Sequence, residues 1–199
     1  MWTVQGMDAT DRAHGTLWER GAAGDGGAFG LIFDLHRDRV FRHAYRILQD
    51  VHDAEDASAV AFLELWRRRR QVRLVDGSPL PWLLATTTNT CRNLARAKRR
   101  YRTLLDTLPH SATAPSAEDA ALDGLVADGE LAAALTTLSR ADAELFALVA
   151  VEGYSITDAA VAVGVSPGAA RTRMHRIRHS LQHRLGHHTL AGYLSKEAT

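Results

Sequence analysis

Residues 153–178, GYSITDAAVAVGVSPGAARTRMHRIR, constrain the fold more than any other stretch of this chain. Ser155 followed by Asp158 is a capping box that opens a short helix. Ala159, Ala160 and Val163 give that helix a small apolar face, and Gly164 suits the left-handed residue that ends it. Ser166 and Pro167 then supply an N-cap with proline at the first helical position, so a second helix starts there. Arg171, Arg173, Arg176 and Arg178 follow on that helix, and no acid occurs from Ala159 to Ser195. A short helix, a tight turn and a cationic helix is the arrangement that places side chains in the DNA major groove. The plainer alternative is a helical hairpin with a solvated basic face. Caps, turn and charge agree, which favours DNA binding.

The 199-residue length suits one ordinary domain or two small ones. The 46% apolar content is globular, and no apolar run approaches the length of a membrane span, so no membrane insertion is expected. The N-terminus lacks the basic flank and apolar core of a signal peptide, which makes cytoplasmic residence the default expectation. Cys91 is the single cysteine, which rules out an intramolecular disulfide or a cysteine-based zinc site. The helical pattern around Cys91 marks it as a packed side chain.

A net charge of +1 hides a strong division along the chain. Residues 27–105 carry 15 basic and 8 acidic side chains, whereas residues 106–129 carry no basic and 5 acidic ones. The acids of residues 130–199 lie mainly ahead of the cationic helix. Two basic surfaces are therefore separated by an acidic connector.

The first 26 residues include GAAGDGG and read as a flexible N-terminal arm. From Phe29 to Leu48 apolar side chains recur at helical spacing, with Leu31, Ile32, Leu35, Phe41, Ala44, Tyr45 and Leu48 as the expected buried set. Asp53 and Asp56 can cap a helix running through Trp66, with Ala57, Ala61, Phe62, Leu65 and Trp66 available for burial. A basic, turn-rich loop (67–81) follows. Ser78 and Pro79 suit the start of another helix, continuing from Trp82 to about Leu105, with Leu83, Thr87, Thr90, Cys91 and Leu94 on one face. Residues 106–129 have linker composition. Ser139 with Asp142 forms a second capping box, ahead of a helix bearing Leu145, Phe146, Leu148 and Val149. The fold class is all-α: two small helical domains, 27–105 and 130–185, joined by a flexible acidic linker, the second a helix–turn–helix domain, with a tail at 186–199.

Three segments in order resemble one family, the extracytoplasmic-function (ECF) group of bacterial sigma factors. AEDASAVAFLELW (54–66) resembles the helix that docks on the RNA polymerase clamp. PWLLATTTNTCRNLARAKRR (81–100) resembles the promoter-melting, −10-reading segment, with Trp82, Asn89 and Asn93 at characteristic positions. Residues 135–178 resemble the −35-reading domain. The resemblance implies a promoter-specificity subunit with no chemistry and no cofactor of its own, whose partners are core RNA polymerase and promoter DNA. It implies clamp contacts from Glu55, Asp56, Ala59, Val60 and Phe62. It also implies an acidic linker that imitates RNA in the polymerase channel and, in many such factors, an anti-sigma protein covering both domains. The chain departs from the family pattern in two places. Ala59 and Val60 replace a glutamine and an acid, and Ala169 and Ala170 replace a Thr-Val pair.

Asn89, Arg92, Asn93 and Arg96 recur at spacings of three and four, and so share one helix face. Asparagine and arginine can pair with base edges or phosphates, against the alternative of a solvated polar face. Trp82 can stack on an unpaired base, although a tryptophan near a helix start is commonly core. Arg67–Arg70 suit phosphate contact or, alternatively, the negative pole of a helix end. On the cationic helix the resemblance and the charge together select Arg171, Thr172, Arg173, His175, Arg176 and Arg178 for the −35 element. His175, His179 and His183 are spaced by four, as metal ligands can be. The surrounding arginines and the lack of a nearby carboxylate favour a DNA-facing stripe. His52-Asp53, with His36 and His43 upstream, faintly resembles metal-dependent HD phosphohydrolases, but helix capping explains the dipeptide. A one-component helix–turn–helix regulator is the remaining alternative; it requires a ligand pocket in residues 27–105, a segment that is unusually basic.

Overall fold

Several helix starts are set by local caps. The computed structural model describes residues 15–106 and 130–194, with side chains for 15–105 and 131–181. Residues 1–14, residues 107–129 of the expected linker and residues 195–199 of the expected tail lie outside the described residues, whereas 186–194 continue the last helix instead of forming a separate tail. The Asp25 carboxylate accepts from the Ala28 amide at 3.0 Å and opens α2 (Gly26–Leu48), which ends at a left-handed Gln49. Asp50, rather than Asp53 or Asp56, caps α3 (Val51–Arg68) by accepting from the Asp53 amide at 2.8 Å. The helix begins one turn earlier than expected because Asp50 takes the extended cap conformation. Asp53 is thereby placed inside the first turn, where its carboxylate pairs with Lys98.

A tight turn with left-handed Asp76 and Gly77 leads into α4 (Leu80–Asp106), and Ser78 Oγ accepts from the Leu80 amide at 3.2 Å. In the C-terminal half follow α5 (Glu130–Thr137), α6 (Arg140–Phe146), α7 (Ile156–Val163) and α8 (Pro167–Leu194). Both expected serine N-caps form: Ser139 accepts from the Asp142 amide at 3.3 Å and Ser155 from the Asp158 amide at 3.1 Å, and each hydroxyl donates to the same aspartate's carboxylate in place of the reciprocal backbone bond. Gly164 closes α7 at φ 81°, and Ser166 caps α8 through the Ala169 amide at 3.2 Å. The helix–turn–helix is therefore built as the sequence expects. Between α6 and α7 the chain widens into a π-helical turn, Ala147–Val151.

Helices α2, α3 and α4 pack on one another, and α4 also packs against α5, α6, the π turn and α7. A continuous apolar core consequently runs from Ala44, Ile47, Leu84 and Cys91 to Leu135, Phe146, Leu148 and Met174. The two expected domains share a seam along α4.

Two expectations about the first half are corrected. On α2 the buried residues are Ala28, Ile32, His36, Val40, His43, Ala44, Ile47 and Leu48, whereas Leu31, Leu35 and Tyr45 are exposed. The helical spacing is right and the phase is rotated: His36 and His43 occupy inward positions, where His43 meets Glu152 and Thr88. The arm is the second correction: residues 15–23 form a helix, α1, with Trp18 buried among Ile32, Val40, Phe62 and Leu65. Gly21 permits the close approach of α1, since a Cβ there would lie 2.8 Å from Ile32 Cδ1. Truncating an aromatic in such a cluster removes contacts and leaves a cavity. Trp18→Ala is therefore expected to lower stability by about 3 kcal/mol in chemical denaturation. A change within ~0.5 kcal/mol, typical of surface positions, would return residues 15–23 to the status of an arm.

Candidate nucleic-acid and polymerase interfaces

The turn and caps around α8 decide which of its cations face outward. Arg171, Thr172, His175 and Arg176 are exposed, while Ala170, Met174, Ile177 and Leu181 are buried beneath them. The exposed set forms a hydrogen-bonding row behind the positive N-terminal end of the helix. Arg173 is different, because its Nη1 donates to Asp142 on α6 at 2.9 Å. Arg178 is half-buried. Ala170 is fully buried, so of the alanine pair only Ala169 lies at the surface. His183 lies outside the described side chains.

On α3 the residues Glu55, Asp56, Ala59 and Val60 are exposed along one stripe, with Leu63 47% exposed beside them. Phe62 is not on that stripe. It is 5% exposed, and its ring meets Phe33 edge-on at 4.7 Å, so the structure assigns it to the core. Position 62 follows Ala61 into the interior because α1 and α2 cover that side of α3. The basic run is also partly engaged: Arg68 pairs with Glu64 at 2.9 Å, and the Arg69 guanidinium lies 4.3 Å from the Trp66 ring centroid.

The polar residues of α4 divide between solvent and protein. Asn93 is exposed, Asn89 half-buried, and Trp82 lines a cleft with Arg73, Glu144 and Val163. Arg92, expected at a DNA surface, is 6% exposed. Its Nε donates to the Leu135 carbonyl at 3.2 Å and its Nη2 to the Leu138 carbonyl at 2.7 Å. Arg96 Nη2 donates to the Thr136 carbonyl at 2.6 Å. The last turn of α5 has carbonyls without helical partners, and two guanidinium groups satisfy them with charge of the favourable sign. Burial, and then the neighbouring Arg96, hold the Arg92 pKa below its usual range, against Glu144. Burial raises the Glu144 carboxyl, opposed by its 2.8 Å bond from Arg140.

A further polar cluster escaped the sequence reading. Glu152, its side chain 2% exposed, accepts from Arg39 Nε at 2.9 Å and Nη2 at 2.7 Å, from His43 Nδ1 at 2.8 Å and from Arg46 Nη1 at 3.0 Å. His43 Nε2 lies 2.8 Å from Thr88 Oγ1, which itself donates to the Leu84 carbonyl. The available signals were an acid directly after the apolar run LFALVAV and the helical spacing of Arg39, His43 and Arg46. Neither reveals that the two meet.

A helical protein with an exposed cationic row on the second helix of a helix–turn–helix, and a basic helix at the centre of its other half, belongs to the class of DNA-binding transcription proteins. Known families narrow this further. Sigma-70 region 2 matches residues 32–101, and Sigma-70 region 4 matches residues 128–181. The chain is 33% identical over 172 residues to RNA polymerase sigma factor CarQ of Myxococcus xanthus, covering 84% of this chain and 95% of that protein. It is 32% identical over 158 residues to ECF RNA polymerase sigma factor SigE of Mycolicibacterium smegmatis, covering 77% of this chain but 60% of SigE. Among solved structures, CnrH in complex with the cytosolic domain of CnrY shares the fold, at TM-score 0.51, 23% identity, and coverage of 86% of this chain and 96% of that one. The chain belongs to the ECF group of RNA polymerase sigma factors. Among its described residues, no helix is long and apolar enough to cross a membrane.

The Glu152 cluster carries a pH signature. Burial alone would raise this carboxyl, but the bonds and charges of His43 and Arg39 outweigh it and hold the pKa at about 2. A depressed carboxyl stabilises the fold fully above its ordinary value of 4.5 and loses that contribution as pH falls through about 2. The stability difference between wild type and Glu152→Gln should thus shrink by on the order of 3 kcal/mol between those limits in pH-dependent denaturation. A difference independent of pH would show that the charge of Glu152 is not what the cluster holds.

Proposed function

We propose that the chain acts as a cytoplasmic promoter-specificity subunit. It joins core RNA polymerase, directs initiation from promoters with −35 and −10 elements, and catalyses no reaction itself. The observation that carries this reading is the exposed row Arg171, Thr172, His175 and Arg176 at the start of a capped recognition helix. The exposed stripe Glu55, Asp56, Ala59 and Val60 supplies the clamp-facing surface, without Phe62. Asn89, Asn93 and Trp82, with Arg92 and Arg96 once released from α5, supply the −10 surface. An anti-sigma protein is the further expected partner. Transcription in vitro with purified core polymerase on a genomic library tests the reading: promoter-specific starts support it, and the absence of any sinks it.

Within the −35 surface Arg171 leads, because residues near the start of a recognition helix approach base edges. Arg173 holds Asp142 and ranks below it, which separates two residues that the sequence left equal. Arg171→Ala should cost roughly 1–3 kcal/mol of −35 binding and relax base preference at one position. Arg178→Ala should weaken binding evenly across sequences and flatten the salt dependence. Equal effects of both on base preference, in a binding assay over all single-base variants, would overturn this distinction.

Ala59 and Val60 present methyl groups where relatives of the pattern present polar ones. A hydrogen bond between exposed partners is worth about 0.5–1.5 kcal/mol net. Ala59→Gln with Val60→Glu should tighten core binding by up to about tenfold in a titration with labelled core. Looser binding would identify the apolar pair as an adapted contact.

A further inference from the structure

The cations near the end of α4 meet different fates. Arg96 is held by the Thr136 carbonyl of α5, and Lys98 pairs with Asp53. Arg99 and Arg100 are exposed, and their side chains have no hydrogen bond or ion pair among the described residues. Positions 96, 99, 100 and 103 recur at spacings of three and four and so share one face of the helix. Thr136 of α5 stands opposite that face. Together Arg96, Arg99, Arg100, Thr103 and Thr136 line a cavity of ≈ 530 Å³ that opens to solvent, a size typical of small-molecule sites.

The chemistry of this lining is one-sided. Three guanidinium groups and two hydroxyls bound the cavity, and its described lining includes no carboxylate and no aromatic ring. Like charges at these spacings repel, and an anion seated among them relieves the repulsion. Guanidinium forks match the oxygens of a phosphate through paired hydrogen bonds. The hydroxyls are spent on their own helices, Thr103 donating to the Arg99 carbonyl at 3.0 Å and Thr136 to the Ala133 carbonyl at 2.7 Å. Each can rotate to donate to an incoming oxygen instead. From position 96 to position 103 the helix rises about 10 Å, more than one phosphate group bridges. A ligand that meets the whole lining therefore carries several phosphates in a chain.

We propose that this cavity binds an oligophosphate, either an inorganic phosphate chain or the polyphosphate arm of a nucleotide. Arg99 and Arg100 supply the free cations, Arg96 a third that is shared with the Thr136 carbonyl, and Thr103 and Thr136 the hydroxyls. The described lining offers a base nothing to stack on, so recognition rests on the phosphates. Arg96 and Thr136 lie 40 residues apart in the chain, so the cavity exists only in the folded arrangement. A bound phosphate chain consequently stabilises that arrangement by linkage. Nothing in this site depends on the promoter role proposed for the chain.

The test titrates the full chain calorimetrically with sodium tripolyphosphate, ATP and adenosine at fixed ionic strength, without divalent cations, and follows the thermal midpoint in parallel. Tripolyphosphate should bind saturably, one per chain, and raise the midpoint. ATP should match its affinity within about threefold, and adenosine should not bind. Arg99→Ala with Arg100→Ala should weaken tripolyphosphate binding by roughly tenfold or more, the order carried by hydrogen bonds to charged groups, and remove the midpoint shift. Thr103→Glu, which places a carboxylate in the same cavity from an exposed position, should do likewise. Arg37→Ala with Arg42→Ala removes the same charge from exposed positions on α2 and should change the affinity by less than about twofold. All three variants should keep wild-type helicity in circular dichroism. Equal weakening by the two double variants would reduce the binding to diffuse screening and overturn the site, as would a wild-type chain that does not saturate with tripolyphosphate. ATP binding more than about tenfold tighter than tripolyphosphate would support the site but overturn its restriction to the phosphate chain.

Discussion

A carboxylate withdrawn from water must be met by charge, and Glu152 is where this requirement shapes the molecule. Desolvating an ion costs several kcal/mol, and only well-placed partners repay it. Here two guanidinium groups and an imidazole converge on one side chain. That convergence fixes the relation between α2 and the π turn, and so the position of everything built on the π turn. A hydrophobic seam alone would tolerate sliding. A buried ion in a three-sided cradle tolerates little, which is the specificity that such groups contribute in the best-attested cases.

Helix α4 is the element on which both halves depend. Its inner residues Leu83, Leu84, Cys91 and Ala95 are buried, whereas Arg92 and Arg96 close the carbonyl end of α5. The same long basic side chains that suit a polyanion also suit a helix C-terminus, because both present oxygen with partial or full negative charge. In the arrangement described, that capacity is spent on the carbonyls of Leu135, Thr136 and Leu138.

Two other polar or charged stripes are not engaged by a neighbouring helix in this way. The recognition row on α8 and the α3 stripe both face outward in the arrangement described. Their side chains are held by what lies beneath: Met174 and Ile177 under the row, and Ala57, Ala61 and Leu65 under the stripe. Packing of this kind fixes the backbone from which the exposed side chains project.

Local chemistry alone determined much of this protein. Ser139, Ser155 and Ser166 cap their helices because a hydroxyl two or three residues from an orphan amide is a local interaction, independent of the fold. The left-handed Gly164 and the helix–turn–helix follow for the same reason, and so does the all-α class. The tertiary structure decided everything that depends on which face meets which neighbour. Helical spacing named the apolar stripe of α2 but not its phase, and His36 and His43 took inward positions that Leu31 and Leu35 were expected to hold. Phe62 lies inside rather than on the exposed stripe of α3, because α1 forms from residues that read as an arm. Arg92 has the spacing of a surface residue and the surroundings of a buried one, since a carbonyl end 43 residues away reaches it. Glu152 meets α2 through no pattern within reach of a local window. Periodicity and capping act over about one helical turn, whereas burial of charge is settled only when distant helices close on one another.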